Sequence, residues 1–243
     1  MTASSSADQR SCQRETQDAY FTGIIEQTGT LVGLESRGGV KRITVEAPGV
    51  AERLREGDSL AVSGVCLTAL NPDPVYFYAD LAQETLDRTS LRALAPGAKV
   101  NLEMPTAAGS PLGDHVVQGH VDGTGVLLSI NSVNPPASSD YDVKSTDWTL
   151  KVEIPKNLRK WMVSKASVAL EGISLTIADV DVTSISIAIL PLTYWRTNLH
   201  TLAPGATVNI EADMLVKLAH ARMEEQCKPA FELTGAWLVA NGY

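Results

Sequence analysis

The sequence contains a long internal repeat, and any fold that does not honour it is excluded. Gly64-Val65-Cys66-Leu67-Thr68 returns as Gly172-Ile173-Ser174-Leu175-Thr176. Glu84-Thr85-Leu86-Asp87-Arg88-Thr89-Ser90-Leu91 corresponds to Leu192-Thr193-Tyr194-Trp195-Arg196-Thr197-Asn198-Leu199, and residues 95–103 (APGAKVNLE) to 203–211 (APGATVNIE). One offset of 108 residues, Gly64 to Gly172, carries all three matches. The openings of the halves also correspond, Gly23-Ile24-Ile25 with Gly119-His120-Val121, but at an offset of 96. The second half therefore holds an insertion. It falls at residues 131–146 (NSVNPPASSDYDVKST), whose Pro, Ser, Asn and Asp content reads as an exposed loop that lengthens one hairpin. Two similar units imply two similar cores.

Within each half, residues 41–45, 59–62, 75–79, 148–154, 167–170 and 184–190 are rich in Val, Ile, Leu and aromatics, often alternate with polar residues, and are separated by turn residues. That pattern predicts short antiparallel strands. Brief helical segments are expected near residues 50–55 and 156–163. Many short strands in about 90 residues favour a closed barrel, which removes its own sheet edges. Residues 212–226 (ADMLVKLAHARMEEQ) place Met214, Leu215, Leu218, Ala219 and Met223 at helical spacing, with an apolar stripe to bury between subunits. A second short helix is expected over 231–243.

Acidic residues outnumber basic ones, 28 to 20, and the basic residues are scattered. The chain lacks the electrostatic footprint of a nucleic-acid or anionic-membrane binder. Cys12, Cys66 and Cys227 are distant, with no Cys-x-x-Cys pair and no zinc-like His spacing, which fits a reducing compartment, the cytoplasm, and no structural metal. No apolar run approaches the roughly 20 residues of a membrane span. Residues 1–19 are polar, and Asp8, Glu15 and Asp18 argue against an acid-poor transit peptide, so a disordered tail is expected.

Taken together, Phe21-Thr22-Gly23-Ile24-Ile25, Cys66-Leu67-Thr68 with Ser174-Leu175-Thr176, Gly119-His120-Val121 and Val208-Asn209-Ile210-Glu211-Ala212-Asp213 resemble the riboflavin synthase family across about residues 21–213. The resemblance implies two tandem six-stranded antiparallel Greek-key barrels and a C-terminal α-helix that holds a homotrimer. The expected division is an extension over 1–20, lumazine-binding barrels over 21–113 and 114–211, and an oligomerising segment over 212–243. It also implies a dismutation of two 6,7-dimethyl-8-ribityllumazine molecules to riboflavin and 5-amino-6-ribitylaminouracil, without a cofactor, at sites shared between subunits. Two departures stand out. The Phe-Thr-Gly motif follows twenty residues rather than the initiator Met, and Leu192-Thr193-Tyr194 replaces the family's common Glu-Thr-Leu.

The chemistry requires loss of a proton from the 7-methyl group of one lumazine and addition of an oxygen or sulfur nucleophile to C7 of the other. His120 is the candidate base, because an imidazole exchanges protons near neutrality. Its counterpart Ile24 cannot, so the half-sites are unequal. Cys66 with Thr68, and Ser174 with Thr176, are spaced by two and share a strand face. A buried apolar role is an alternative for Cys66. His115, five residues from His120, would face the other way on a strand and reads as structural.

By resemblance, Lys165 contacts substrate, Ser59 and Ser167 support the two pockets, and Asp213 reaches the inter-subunit site. The alternative for Asp213 is a helix N-terminal carboxylate. Main-chain groups around Asp80, Leu81, Ala82, Gln83, Glu84 and Thr85, and around Ile189, Leu190, Pro191, Leu192, Thr193 and Tyr194, are implied to bind the pteridine edge.

The rival reading is a lumazine- or flavin-carrying antenna protein of the same double-barrel fold, which binds without converting. Hydroxyl or thiol groups in both repeats, together with His120, favour catalysis. A reductase flavin barrel would need a nicotinamide-binding unit, and no Gly-x-Gly-x-x-Gly follows a strand.

Overall fold

In the computed structural model the described residues are 20–107, 109, 115–133 and 146–226. The expected N-terminal tail, most of the expected insertion loop and the expected helix at 231–243 lie outside the described residues.

Short apolar-rich stretches, some alternating with polar residues and some buried almost throughout, make six antiparallel strands from each repeat. In the first, β1 (Gln27–Arg37), β2 (Val40–Glu46), β3 (Ser59–Val62), β4 (Val65–Thr68), β5 (Tyr76–Leu81) and β6 (Lys99–Glu103) lie in the order β4-β3-β6-β1-β2-β5. In the second, β7 (Gly123–Ser132), β8 (Trp148–Glu153), β9 (Ser167–Leu170), β10 (Ile173–Val180), β11 (Ser184–Ile189) and β12 (Thr207–Ala212) form a closed barrel, β10-β11-β8-β7-β12-β9. The outer strands of the first sheet approach through the single bridge Leu70↔Tyr78, with N–H···O distances of 2.7 and 3.2 Å. β1 and β7 each carry a bulge, at Leu31/Gly33 and Leu127/Ser129. A bulge bends its strand and increases twist, which helps a short sheet to curl shut.

Period-two patterning fills each interior. Phe77, Ala79 and Leu81 of β5 are buried between partly or fully exposed Tyr76, Tyr78 and Asp80. The first core gathers Leu31, Ile43, Leu60, Phe77 and Leu102, and the second Leu127, Leu150, Val168, Ile187 and Ile210. The predicted strands agree with the observed ones to within a residue or two.

The expected helical segment near 50–55 is the single turn α1 (Pro48–Ala51), opened by a proline at its start, and that near 156–163 is a 3₁₀ turn, Arg159–Trp161. Two six-residue helices were not anticipated: α2 (Gln83–Arg88) and α3 (Pro191–Arg196). They are too short to display helical periodicity. The C-terminal helix α4 (Met214–Gln226) has no buried residue in this chain, and Met214, Leu215, Leu218 and Met223 are exposed. Lys217 ties α4 to the second barrel, its Nζ 3.0 and 3.1 Å from the Asp122 carboxylate oxygens.

The repeats meet through matched β-hairpin turns. Ser63-Gly64 and Glu171-Gly172 all have positive φ (45° and 79°; 51° and 77°), which is the type I′ pattern of two-residue hairpins. The turns touch: a Cβ added to Gly64 would lie 2.7 Å from the Gly172 nitrogen. Around this contact Asn101 Nδ2 donates to the Glu171 carbonyl and Asn209 Nδ2 to the Ser63 carbonyl, both at 2.9 Å. The Glu171 carboxylate accepts from Asn209 N, Asn198 Nδ2 and Ser90 Oγ at 2.8, 2.9 and 3.3 Å. Burial pushes its pKa up, and these donors offset part of the cost.

Candidate active site

The opening segments of the repeats cross over. Phe21 N–H donates to the Val117 carbonyl at 2.8 Å and Val117 N–H to the Phe21 carbonyl at 3.0 Å, forming a bridge between the two openings. Beyond it the chains diverge, each onto the other repeat's barrel. Ser174 N–H donates to the Gly23 carbonyl, and Cys66 N–H to the Gly119 carbonyl, both at 2.9 Å. Ile25 packs against the second core and Val121 against the first. The approach is close enough to require glycine. A Cβ on Gly23 would lie 2.6 Å from Ser174 Cβ, and one on Gly119 would lie 2.6 Å from Cys66 Cβ.

Crossing makes two composite sites. On the first barrel, Cys66 and Thr68 of β4 alternate with buried Val65 and Leu67, so thiol and hydroxyl share the face that receives Gly119 and exposed His120. Thr68 pairs in register with Ser59 of β3. Burial pushes the Cys66 thiol pKa up, a hydrogen bond with the Ser59 hydroxyl pulls it down, and the Glu211 charge pushes it up. On the second barrel, Ser174 and Thr176 of β10 alternate with buried Ile173, Leu175 and Ile177, beside Thr22, Gly23 and exposed Ile24. Thr176 pairs with Ser167, and exposed Lys165 takes a left-handed φ of 69° while its N–H donates to the Ile177 carbonyl.

His115 and His120 do diverge, but not because they lie on a strand. The segment turns at Gly119, where φ is 76°. Buried His115 sets its Nδ1 2.8 Å from Ser174 Oγ, a partnership that no sequence spacing indicated, across 59 residues. Two buried glutamates, which spacing did not mark as site residues, also join the crossing segments. Glu103 accepts from Thr22 N–H, Thr22 Oγ and Gly23 N–H at 2.6, 2.7 and 3.0 Å. Glu211 accepts from Gln118 N–H at 2.7 Å and His120 N–H at 3.0 Å. Their repetition in VNLE and VNIE was the available signal. Burial raises both pKa values, with hydrogen bonds from the crossing segments acting against it.

Other predicted residues fall at the edges or in the walls. Phe21 is fully buried between the barrels with Ala61, Val117 and Ala169. Leu67, Leu81, Leu175, Ile189 and Tyr194 are buried. Asp80 is held on the surface by Arg42 at 2.6 and 2.8 Å, and Glu84 pairs with Arg88 within α2. Ala82, Gln83 and Thr85 lie at the start of α2, as Leu190, Pro191, Leu192 and Thr193 do at α3. Leu190, Pro191, Leu192 and Trp195 line an apolar hollow of about 460 Å³. Tyr194 stacks on Trp148 behind it at 3.9 Å. Asp213 Oδ1 accepts from Leu215 N–H at 2.8 Å, so here it caps α4. Among the described residues no three His, Cys, Asp or Glu side chains converge as a metal site, and no helix is long and apolar enough to cross a membrane.

The Lumazine binding domain family matches residues 22–105 and again 118–213. Riboflavin synthase of Mycobacterium tuberculosis is 37% identical over 209 residues, covering 84% of this chain and 98% of its own. That of Bacillus subtilis is 35% identical over 225 residues, covering 92% of this chain and all of its own. Among solved structures, LumP complexed with riboflavin is similar at a TM-score of 0.69 and 26% identity, over 79% of this chain and 98% of LumP. LumP complexed with 6,7-dimethyl-8-(1′-D-ribityl)lumazine gives 0.68 and 25%, with the same coverage.

Proposed function

This chain belongs to the riboflavin synthase family of tandem lumazine-binding domains, and from that premise we propose that it converts two 6,7-dimethyl-8-ribityllumazine molecules into riboflavin and 5-amino-6-ribitylaminouracil. One lumazine gives a four-carbon unit to the other, so donor and acceptor are the same compound and no external oxidant is needed. The single observation that carries the reading is the crossing. It brings His120 to the Cys66 barrel and Ile24 to the Ser174 barrel, so two nearly equivalent sites have different chemistry.

Each half-site is read as the seat of one lumazine. The first has Cys66, Ser59 and Thr68 on its strands and His120 at its mouth as proton carrier. The second offers the Ser174 hydroxyl for addition at C7, with Thr176 and Lys165 nearby and His115 against Ser174 Oγ. Main-chain groups at the starts of α2 and α3 meet the pteridine edges. Fixing two reactants in one orientation gives effective molarities of about 10⁵–10⁸ M, so much of the rate comes from placement.

The proposal includes a cytoplasmic homotrimer. The exposed apolar side chains of α4 support association, and joining the first barrel of one subunit to the second of its neighbour would complete each site. The scattered cysteines support a reducing compartment.

The test is incubation of the purified protein with the lumazine alone. One riboflavin should appear for every two lumazines consumed, and His120→Ala should lower kcat at least tenfold with lumazine still bound. Tight binding without conversion would make the chain a carrier instead.

A further inference from the structure

Glu103 and Glu211 are equivalent under the repeat, nearly fully buried, and each spends its carboxylate on the backbone of a crossing segment. Glu211 closes the second barrel's β12, yet what it holds, Gln118 to His120, is the segment that lays Gly119 on Cys66 and Val121 on the first core. Glu103 ends the first barrel's β6, yet it holds Thr22 and Gly23, which lie on Ser174 and lead Ile25 into the second core. We propose that both glutamates are positioning residues and that each governs the half-site on the opposite barrel. The proposal rests on the composite half-sites described above and adds which residue orders which site.

The donor count explains why glutamate is needed. At Glu211 the two oxygens serve different N–H groups, Gln118 to Oε1 and His120 to Oε2. At Glu103, Oε1 serves Thr22 and Oε2 is closer to Gly23 N–H. A glutamine keeps one oxygen and turns an NH₂ toward an N–H, so one main-chain donor loses its acceptor and faces another donor. In Glu211→Gln that loss frees the backbone at either end of Gly119, and His120 is no longer held over the Cys66 barrel. In Glu103→Gln it frees Thr22 or Gly23 and loosens the segment over Ser174.

Among the described residues tryptophan supplies a reporter for the second barrel. Of those residues Trp148, Trp161 and Trp195 lie in or beside the second barrel, and the first barrel has no tryptophan. The full-length protein is labelled with 5-fluorotryptophan and titrated with riboflavin by ¹⁹F NMR, and kcat and KM for the lumazine are measured in parallel. Glu103→Gln should weaken the riboflavin-dependent shifts of Trp148, Trp161 and Trp195 at least tenfold in apparent Kd. Glu211→Gln should leave those shifts within twofold of wild type and still lower kcat at least tenfold.

A purely structural role for the glutamates would move both variants alike. Equal effects on the tryptophan shifts, or wild-type turnover in Glu211→Gln, would overturn the proposal. If either glutamine variant fails to fold, Glu103→Asp and Glu211→Asp keep a carboxylate but withdraw it by one methylene, and the same opposite-barrel criterion decides. If the wild-type protein binds but does not turn over, the proposed function fails, and the NMR arm still decides which glutamate orders the second barrel's site.

Discussion

Replacing Gly64 with alanine tests the joint between the barrels. Two costs add at this position. The first is conformational: φ is 79°, where an L side chain costs about 1–2 kcal/mol. The second is steric. The new Cβ would lie 2.7 Å from the Gly172 nitrogen and 2.9 Å from its Cα, and both are backbone atoms of a tight hairpin that cannot rotate away. Overpacking of this kind costs about 1–3 kcal/mol. The expected loss is therefore about 2–5 kcal/mol. Gly97 provides the control, because its φ of 90° carries the conformational cost while a Cβ there would meet nothing within 4 Å. Urea unfolding of Gly64→Ala, Gly97→Ala and wild type at one protein concentration separates the terms. Gly64→Ala should be less stable than Gly97→Ala by at least about 1 kcal/mol. Gly64→Ala with Gly172→Ala should cost less than the sum of the single changes, because the first already parts the hairpins. Equal losses at Gly64 and Gly97 would refute the claim that backbone contact, rather than turn conformation, demands glycine here.

Two further outcomes follow from burial. Glu103, Glu171 and Glu211 all have pKa values raised by burial, so the folded chain holds protons that the unfolded chain releases near the ordinary glutamate value of about 4.3. Their contribution to stability is greatest below that value and falls as pH rises toward the raised values, after which it is constant. Urea midpoints across this range should show the decline, and Glu171→Gln should make it shallower; an unchanged slope would contradict the assignment. The raised Cys66 pKa keeps the thiol protonated at neutral pH. Iodoacetamide should label the Cys66 peptide at least tenfold more slowly in native than in urea-unfolded protein at pH 7, with the rate climbing at higher pH, as read by mass spectrometry. Equal rates would count against a half-buried thiol of raised pKa.

Local order in the chain was legible because it depends on neighbours. Alternation at Tyr76–Leu81 and Ser184–Ile189 specifies strands, and the same period puts Cys66 with Thr68 and Ser174 with Thr176 on faces turned away from the barrel cores. Repetition alone implied two barrels, and a glycine after Ser63 and after Glu171 fits the positive φ of both hairpin turns. The two short helices α2 and α3 were missed because six residues hold fewer than two turns. What period and spacing could not carry is which barrel each opening segment joins. Glu103 reaches Thr22 across 81 residues, Glu211 reaches His120 across 91, and Ser174 finds His115 rather than His120. Those pairings arise only when the two cores dock hairpin against hairpin, because burial then leaves the carboxylates and the main-chain N–H groups of the crossing segments only each other as partners within reach. The sequence by itself determined two similar barrels and the side chains each turns outward, and the tertiary packing decided which of those side chains share a site.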